Sequence, residues 1–570
     1  MAKIKILIFT FALLLKFLSF SKCNITFSNE SGFYPAEFLL TLSTSEENSK
    51  IYYTLDGSDP TNSTIAKEYT EPILIKDRSD EPNIYSSYEE EVNTSKSISL
   101  GHNYKKPKYL VDKAMVVRAV LKNEKGYSKI IDKTYFITTG DLLQYQDYTV
   151  ISLVTNPDNF FGDKGLYVTG IDFVPNKDNL CINCNYGQRG KEWEREVSIT
   201  IFDKGKKFIE ENCGIRIKGA STRYYPQKNF NINFKKKYGK NKIINENLFP
   251  ENIDFNGNKI INYDSFSLKG VCDEERVRDK FATKLIHNRK LLSTIDMRNS
   301  VLFLNGEFWG LYFITEKFSE NYFKTHYNIP KNDIIFVKNY KNSIGTEEDV
   351  QNLINFMALY SQKDLSNKNF YNEVCDAIDI DSLIEHFAAG LYLGTLDWPS
   401  LNFGIWRNNG SKIENNIYSD GKWRFVSFDF DFSIPYDYED FGIPGEEGYK
   451  FNSFEHLELF KDYPPGSLFV ALLKNEDFRK KFIKIYEEYA NDVMSMNKVE
   501  PILDEYYGEI STLFSLSKAR WKGTSDSKIE NIQSSKNTFH NKNIPLMEKF
   551  FENRAKVTLD HMKEYFKKFE

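Results

Sequence analysis

The chain of 570 residues lacks the features of a nucleic-acid-binding protein. Its 75 Lys and Arg are outnumbered by 80 Asp and Glu, and both signs of charge are spread along the sequence. A surface that binds phosphate backbones needs concentrated positive charge, so nucleic acid is not expected as the main partner. The short basic run Lys235–Lys237 is interpreted as a solvated loop or strand end.

Long apolar segments are also missing after the N-terminus, so no transmembrane span is expected. At the N-terminus, Lys3 and Lys5 precede a mainly apolar segment of residues 6–20, and small Ser21 lies where a signal peptidase could cut. The segment is shorter than the roughly 20 apolar residues of a membrane span. Residues 1–22 are therefore interpreted as a signal peptide rather than an uncleaved anchor. The mature protein is expected to be secreted or to remain at the cell surface.

Cysteine is scarce, with six residues in the chain. Cys181 and Cys184 form a single C-x-x-C pair, without a second pair of ligands at the spacing of zinc sites and without a histidine close by. Zinc is therefore not predicted. The pair is interpreted either as a disulfide or as two free thiols.

Residues 24–137 have the pattern of short β-strands separated by turns. Ile51–Leu55 and Met115–Leu121 are rich in β-branched and aromatic residues, and Asp56–Pro60 carries the Asp, Gly and Pro of a tight turn. We expect an all-β sandwich of the immunoglobulin type. The stretch YYTLDGSDPT, which begins at Tyr52, resembles the β-sandwich module at the C-terminus of chitobiase and β-hexosaminidase. Such modules usually have an accessory role, and glycan contact is one role that this module could serve.

From residue 146 onward the pattern is mixed α and β. The predicted elements are a strand–loop–strand unit (Gly214–Phe234), a helix (Asp273–Leu292), a hairpin around Asn305-Gly306 (Ser300–Phe313), an amphipathic helix (Asp381–Gly394), a strand (Lys422–Ser433) and a mostly helical region (468–570). A β-rich part is thus followed by an α-rich part.

Two carboxylates lie within a strongly apolar segment, Trp423–Ser433. If this segment is a strand, its alternation places Asp429 and Asp431 on one face, with their Cα atoms roughly 7 Å apart. Like charges this close repel each other unless they hold a cation or face open water. The pair is either a metal site or the wet face of an edge strand, and the flanking aromatic residues favour the metal site.

A third acidic residue, Asp397, follows a predicted helix, and Asn402 comes after four intervening residues. This is the spacing of the catalytic loop of protein kinases, in which the Asp orients the acceptor hydroxyl and the Asn binds metal. The order of the parts is more specific than the spacing, because a helix, this loop, a strand, a turn and then Asp429 follow one another. His-Arg does not precede Asp397 and Gly does not follow Asp429-Phe430, so the pattern is not that of an ordinary protein kinase.

Several dispersed motifs resemble the CotH (spore coat protein H) family of secreted kinases. The resembling segments are Gly214–Thr222, Pro226–Phe230, Arg278-Asp279, Leu304–Tyr312 with Glu316, and Phe428–Asp431. The resemblance implies an α+β, two-lobed, atypical protein-kinase-like domain at 214–570, with a core at 214–435 and an N-terminal extension at 146–213. It also implies transfer of the γ-phosphoryl group of ATP, with Mg²⁺ or Mn²⁺, to Ser or Thr of exported or surface proteins.

Under this resemblance, Asp397 is the expected catalytic aspartate. Asn402 and Asp429 are the expected metal ligands, with Asp431 as an alternative or second ligand. Asp279 is expected to pair with a basic residue of the β-rich lobe.

The resemblance leaves alternatives open for the residues that would bind the nucleotide. Either Lys228 or Lys269 would contact phosphate, and Lys218 is a further candidate. The loop Gly219–Thr222 would cover the phosphates with its backbone amides. Glu316 lies where adenine would meet the lobe junction, or else it forms a structural ion pair.

Two other functions compete with a kinase. The first is a surface adhesin that keeps the kinase-like fold without catalysis, and the three residues Asp397, Asn402 and Asp429 favour an active enzyme over it. The second is a glycoside hydrolase, which needs two carboxyl groups roughly 5 to 10 Å apart on either side of a sugar. The predicted placement of Asp429 and Asp431 on one strand face argues against it.

Overall fold

The computed structural model describes residues 25–88, 106–170, 184–287, 289–434, 438 and 441–569. The predicted signal peptide (1–22) and Cys181 lie outside these residues. The signal peptide and the state of the Cys181/Cys184 pair therefore remain predictions.

The N-terminal region is built of short strands. Their bounds are β1 (Ile25–Phe27), β2 (Gly32–Tyr34), β3 (Phe38–Leu40), β4 (Leu42–Thr44), β5 (Lys50–Thr54), β6 (Lys67–Glu68), β7 (Ile73–Ile75), β8 (Met115–Asn123), β9 (Gly126–Tyr127) and β10 (Ile131–Ile137). The main sheet has the order β2-β10-β8-β5-β6, with β9 on β8, and β1-β4 and β3-β7 form separate pairs. Apolar residues of all three sheets share one core. The strand-rich prediction for this region is confirmed.

The next region is a closed barrel of seven strands in the order β11-β12-β13-β14-β17-β19-β18. The strands from here to the end of the barrel are β11 (Thr149–Val154), β12 (Arg195–Asp203), β13 (Lys206–Lys218), β14 (Asn229–Asn233), the small pair β15 (Ile243–Ile244) and β16 (Asn262–Tyr263), β17 (Ser265–Gly270), β18 (Met297–Leu304) and β19 (Glu307–Thr315). Apolar side chains such as Phe230 and Leu268 share one buried cluster, and the alternation of the strands turns their neighbours Asn229 and Lys269 the other way.

The hairpin β18–β19 is confirmed, and its turn is at Asn305-Gly306 as predicted. Both turn residues have positive φ, 47° and 89°, the backbone that a tight two-residue hairpin requires. Gly306 is also required by packing, because a Cβ there would lie 2.4 Å from the Ala114 carbonyl oxygen.

A four-stranded sheet and many helices follow the barrel. The sheet has the order β21-β20-β22-β23, and its strands are β20 (Ile334–Lys338), β21 (Lys341–Ile344), β22 (Phe403–Asn408) and β23 (Arg424–Ser427). The α-helices of the described residues are α1 (Asp158–Phe161), α2 (Glu274–Ile286), α3 (Glu320–Tyr327), α4 (Glu347–Ser361), α5 (Lys368–Ala377), α6 (Ile380–Leu393), α7 (Ser453–Glu458), α8 (Gly466–Leu472), α9 (Glu476–Glu488), α10 (Met496–Glu505), α11 (Ser511–Lys522), α12 (Lys528–Thr538) and α13 (Ile544–Phe566). The mostly helical prediction for residues 468–570 is confirmed, and no helix in the described part of the chain has the length and hydropathy of a membrane span.

Helix α6 is not amphipathic, which corrects the sequence-based expectation. Nearly all of its residues are buried, including the polar Glu385 and His386. Glu385 accepts a hydrogen bond from Arg289 and another from Tyr489, and these partners make its burial tolerable. The helix is therefore enclosed by its neighbours on all sides.

The strand predicted over Lys422–Ser433 is also too long. Strand β23 ends at Ser427, and Asp429 has the left-handed backbone with φ of 65°. A left-handed residue breaks the pleat, so strand alternation does not explain how Asp429 and Asp431 are placed.

Candidate active site

Three carboxylates surround the ammonium group of Lys269. Its Nζ lies 2.6 Å from Asp279 Oδ2, 2.6 Å from Asp431 Oδ1 and 3.6 Å from Asp429 Oδ1. Lys269 projects outward from barrel strand β17, Asp279 lies on helix α2, and the other two carboxylates lie in the turn after β23. This carboxylate cluster therefore joins the barrel, a helix and the sheet beyond it.

Asp279 also positions the turn that carries the other two carboxylates. Its Oδ1 accepts a hydrogen bond of 2.8 Å from the backbone N–H of Phe430, which lies between Asp429 and Asp431. The expected pairing of Asp279 with a basic residue of the β-rich part is confirmed by Lys269. Sequence reasoning missed the proximity of Asp279 to Asp429 and Asp431, because a residue on a helix gives no local signal of a contact about 150 positions away.

The carboxylate cluster has the chemistry of a divalent-cation site. One carboxylate oxygen from each of Asp279, Asp429 and Asp431 lies within 4.8 Å of the others. Hard cations such as Mg²⁺ and Mn²⁺ prefer such oxygen ligands. The side chain of Asp429 is 46% exposed, so an ion can reach the cluster from solvent. The residues present therefore fit the metal that the sequence predicted.

The charges of the cluster perturb one another. Burial alone would lower the pKa of Lys269, but the carboxylates of Asp279, Asp431 and Asp429 outweigh burial and raise it well above its usual range. Burial, together with repulsion from Asp429 and Asp279, raises the pKa of Asp431 to about 7 despite Lys269. Three carboxylates around one lysine leave excess negative charge, which a divalent cation would compensate.

Asp397 lies in the loop between α6 and β22 and keeps one oxygen without a partner. Its Oδ2 accepts a hydrogen bond of 2.6 Å from Asn402 Nδ2, whereas its buried Oδ1 has no hydrogen-bond donor among the described residues. Burial and the negative charge of Asp429 raise the pKa of Asp397 to about 7. A buried carboxylate oxygen without a donor is a ready acceptor for a hydroxyl group that enters the site.

His386 connects the loop of Asp397 to the strand that leads to Asp429. Trp398 Nε1 donates to His386 Nε2 over 2.9 Å, so the proton of the ring is on Nδ1, which lies 2.8 Å from Ser427 Oγ. Burial lowers the pKa of His386 to about 3, which keeps the ring neutral. Trp398 can approach α6 because residue 390 is glycine, where a Cβ would lie 2.8 Å from the indole. No motif in the sequence indicated this link.

Several lysines, among them Lys218 and Lys338, lie close to the carboxylate cluster. Burial, together with repulsion from Lys338, Lys269 and Lys317, lowers the pKa of Lys218 to about 7. Lys338 lies at the end of β20, with its Nζ 3.9 Å from the centroid of the Phe428 ring. Neighbouring ammonium groups that repel one another favour an anionic ligand. Lys338 and Lys317 were missed by sequence reasoning, since neither lies in a recognisable motif.

Lys228 lies elsewhere. Its Nζ donates to the carbonyl oxygens of Arg223 (2.8 Å) and Tyr225 (3.2 Å) and lies 3.8 Å from the centroid of the Tyr186 ring. These contacts stabilise the segment after the Gly219–Thr222 loop. The structure thus brings Lys269, and not Lys228, into the carboxylate cluster.

Glu316 is buried at the end of β19 and uses both carboxylate oxygens within the protein. Oε1 lies 2.8 Å from His326 Nε2, and Oε2 accepts a hydrogen bond of 3.0 Å from the Asp296 backbone N–H. This arrangement corresponds to the ion-pair alternative.

Comparison with known protein families gives two matches. Residues 215–558, more than half of the chain, match the family model described as CotH kinase protein. Residues 40–135 match the model described as Fn3 associated, which agrees with the strand-rich N-terminal region. No curated protein matches the chain.

Proposed function

The chain belongs to the CotH kinase protein family, and from this membership we propose that it transfers the γ-phosphoryl group of ATP to a Ser or Thr hydroxyl of an exported or cell-surface protein. One observation carries the proposal. Lys269 pairs with Asp279 of a helix and also lies 2.6 Å from Asp431, in the turn that follows the sheet. Protein kinases use the same combination of a strand lysine, a helix acid and an Asp after the sheet to hold ATP and its metal.

Asp429, Asp431 and Asn402 would hold the metal in this proposal. Asn402 qualifies because its amide nitrogen is bound to Asp397, which leaves its carbonyl oxygen for another partner. A bound Mg²⁺ or Mn²⁺ would neutralise the charge of the phosphates. Lys269 would exchange one of its carboxylate partners for a phosphate oxygen, and Lys218 and Lys338 would add positive charge around the nucleotide.

Asp397 would act on the acceptor. An acceptor hydroxyl would donate its hydrogen bond to the Oδ1 that has no donor, and Asn402 would hold the other oxygen in place. The hydroxyl oxygen forms a bond to the γ-phosphorus as the bond to the β-phosphate oxygen breaks. The hydroxyl proton passes to Asp397, and ADP leaves. A carboxylate with a pKa of about 7 can accept this proton near neutral pH.

The domain division of the sequence analysis is part of the proposal. Residues 1–22 would direct export, and 24–137 would form an accessory sandwich module of immunoglobulin type that could contact glycans. The region 146–213 would be the N-terminal extension of a two-lobed kinase-like domain at 214–570. The barrel with α2 would form the first lobe, to which the extension contributes β11, β12 and most of β13, and the sheet β20–β23 with the later helices would form the second.

Nucleotide binding and labelling test the proposal. The purified chain is incubated with γ-labelled ATP, Mn²⁺ or Mg²⁺ and a Ser-rich exported protein. We expect metal-dependent ATP binding and labelling in wild type. Asp397→Asn should keep nucleotide binding and lose labelling. Asp429→Asn should lose both labelling and metal-dependent nucleotide binding. The matched control is Asp462→Asn, at an exposed position, which should keep both.

The alternatives predict different results. An adhesin on this fold would bind no nucleotide at millimolar concentration in the presence of metal, and that result would exclude the kinase proposal. Release of chromogenic N-acetylglucosamine would support the glycoside hydrolase instead.

A further inference from the structure

Helix α2 carries Asp279 on one face and is held on the opposite face by the C-terminal helices. At about 100° per residue, Val277 and Phe281 both lie about 160° from Asp279 around the helix axis. The hydroxyl of buried Tyr506 donates to the carbonyl oxygen of Val277 over 2.5 Å. The Tyr506 ring also meets the Phe281 ring edge-on, with 5.0 Å between centroids. Tyr506 therefore holds α2 on the side that faces away from the carboxylate cluster.

Charged contacts hold α2 to the same segment. Lys280 is 5% exposed, and its Nζ donates to Glu505 Oε1 (2.5 Å) and to Asn299 Oδ1 of strand β18 (2.7 Å). The second oxygen of Glu505 pairs with Lys284, one helical turn further along α2. Asn299 Nδ2 in turn donates to Glu505 (3.1 Å) and to Glu509 (2.9 Å). Glu505 thus joins α2, the barrel and the end of α10.

These contacts fix the orientation of α2 and, with it, the position of Asp279. Burial of apolar area does not depend on direction, whereas ion pairs and hydrogen bonds of buried groups fix one register. A helix moves as a rigid element, so a shift at Glu505 also moves Asp279. Asp279 Oδ2 lies 2.6 Å from Lys269 Nζ, and a displacement of about 1 Å is enough to end this hydrogen bond. The hydrogen bond of 2.8 Å from the Phe430 N–H would weaken with it.

We propose that Glu505 and Tyr506 are positioning residues of the phosphoryl-transfer site. They hold α2 in the place where Asp279 meets Lys269 and the other two carboxylates of the cluster. The proposal rests on the phosphoryl transfer proposed above, and it adds two residues that act on the site from behind the helix. Through α2 they set the affinity for the metal-bound nucleotide and the rate of transfer.

Two variants test these contacts with little change of side-chain volume. Tyr506→Phe removes only the hydroxyl, and Glu505→Gln removes the charge that pairs with both lysines. With Mn²⁺ and a non-hydrolysable ATP analogue, we expect the dissociation constant of the analogue to rise roughly threefold in Tyr506→Phe and roughly tenfold in Glu505→Gln. With γ-labelled ATP and a Ser-rich exported protein, kcat should fall in both variants, and further in Glu505→Gln.

Each variant has a matched control. Tyr486→Phe is the control for the hydroxyl, because this buried tyrosine lies 2.5 Å from Thr558 Oγ1 within the C-terminal helices. Glu210→Gln is the control for the charge, because Glu210 bridges Lys133 (3.0 Å) and Lys207 (2.7 Å). Neither residue has a hydrogen bond or an ion pair to α2 among the described residues. Both controls should keep the affinity for the ATP analogue within about twofold of wild type.

The Asp279→Asn background shows whether the effect passes through α2 to this carboxylate. In that background Glu505→Gln should change the affinity for the analogue less than about twofold, since the contact that it positions is already weakened. A fully additive loss would overturn the positioning role while the kinase function stands. An affinity that is unchanged in both Glu505→Gln and Tyr506→Phe would overturn it equally.

Absence of nucleotide binding by wild type would instead overturn the kinase function itself, and Mn²⁺ alone then tests the positioning. Asp279 is one of the three carboxylates of the cluster. The rise in unfolding temperature that Mn²⁺ produces should therefore be smaller in Glu505→Gln than in Glu210→Gln. Equal rises would overturn the positioning role as well, so the two failures are distinguishable.

Discussion

Replacement of Lys269 by Met tests the electrostatics of the carboxylate cluster directly. Lys269 is 14% exposed and bridges Asp279 and Asp431, with Asp429 at 3.6 Å. The Met side chain keeps most of the volume and removes the charge, so the three carboxylates lose the positive charge that lies closest to them. Loss of one partner of a buried ion pair costs about 3 to 5 kcal/mol of unfolding free energy.

A cation should recover part of this loss. The variant leaves the oxygens of Asp279 and Asp431 without their lysine, and these oxygens are ligands for Mn²⁺. An ion present at about tenfold its dissociation constant would add about 1.4 kcal/mol. Mn²⁺ should therefore stabilise Lys269→Met more than it stabilises wild type.

Urea unfolding with and without Mn²⁺, followed by tryptophan fluorescence, measures both effects. Lys331→Met is the matched control, because it breaks a partly exposed pair with Asp264 (2.9 Å) and should cost only about 0.2 to 1 kcal/mol. Asp279→Asn should reduce the gain from Mn²⁺, since it removes one ligand. The reasoning is refuted if Lys269→Met unfolds within about 0.5 kcal/mol of wild type, or if Mn²⁺ stabilises wild type and variant equally.

Three further predictions address other parts of the chain. Burial would raise the pKa of Glu505, but Lys280 and Lys284 lower it from 4.5 to about 2. Its contribution to stability is therefore complete above pH 4.5 and is lost as the pH falls toward 2. In acid titrations Glu505→Gln should lose a contribution on the order of 3 kcal/mol, and its unfolding free energy should depend less steeply on pH. Equal slopes for wild type and variant would contradict this prediction. His386→Phe should lower kcat roughly tenfold or more and leave the affinity for ATP within about twofold of wild type. The reason is that the ring holds Trp398 and Ser427 without touching the proposed nucleotide site. A change in ATP affinity alone would argue against this positioning role. Glu307→Gln should speed proteolytic cleavage near residues 84–86. Glu307 accepts hydrogen bonds from the backbone N–H groups of Ile84 (2.6 Å) and Ser86 (2.7 Å), and the single oxygen of the Gln amide can accept only one of them. Unchanged cleavage would show that other contacts hold this segment.

Local chemistry explains which elements could be predicted from the sequence. The hairpin turn at Asn305-Gly306 was found because two residues alone favour its positive φ values. Strands such as β5 and β8 were found because β-branched and aromatic residues bounded by turns are local signals. The family was recognised from motifs that are each short and continuous, and the match over residues 215–558 confirms it.

Local signals failed where the outcome depended on neighbours in space. Periodicity predicted one exposed face for α6, but other elements enclose the helix on all sides. Alternation predicted a strand through Asp431, but the left-handed backbone of Asp429 ends the pleat earlier. The choice between Lys228 and Lys269 also needed the fold. Lys228 lies just before β14 and Lys269 near the end of β17, and only their contacts in space separate their roles.

The sequence by itself determined the candidates for the proposed phosphoryl transfer, namely Asp397, Asn402, Asp429 and Asp431 in an order that resembles a known family. Tertiary structure alone decided how they are joined. Lys269 and Asp431 are 162 positions apart, and Asp279 and Phe430 are 151 positions apart, yet both pairs are in hydrogen-bond contact. Such contacts depend on how a barrel, a helix and a sheet pack together, because a side chain is placed by its whole element and no short stretch of sequence carries that information.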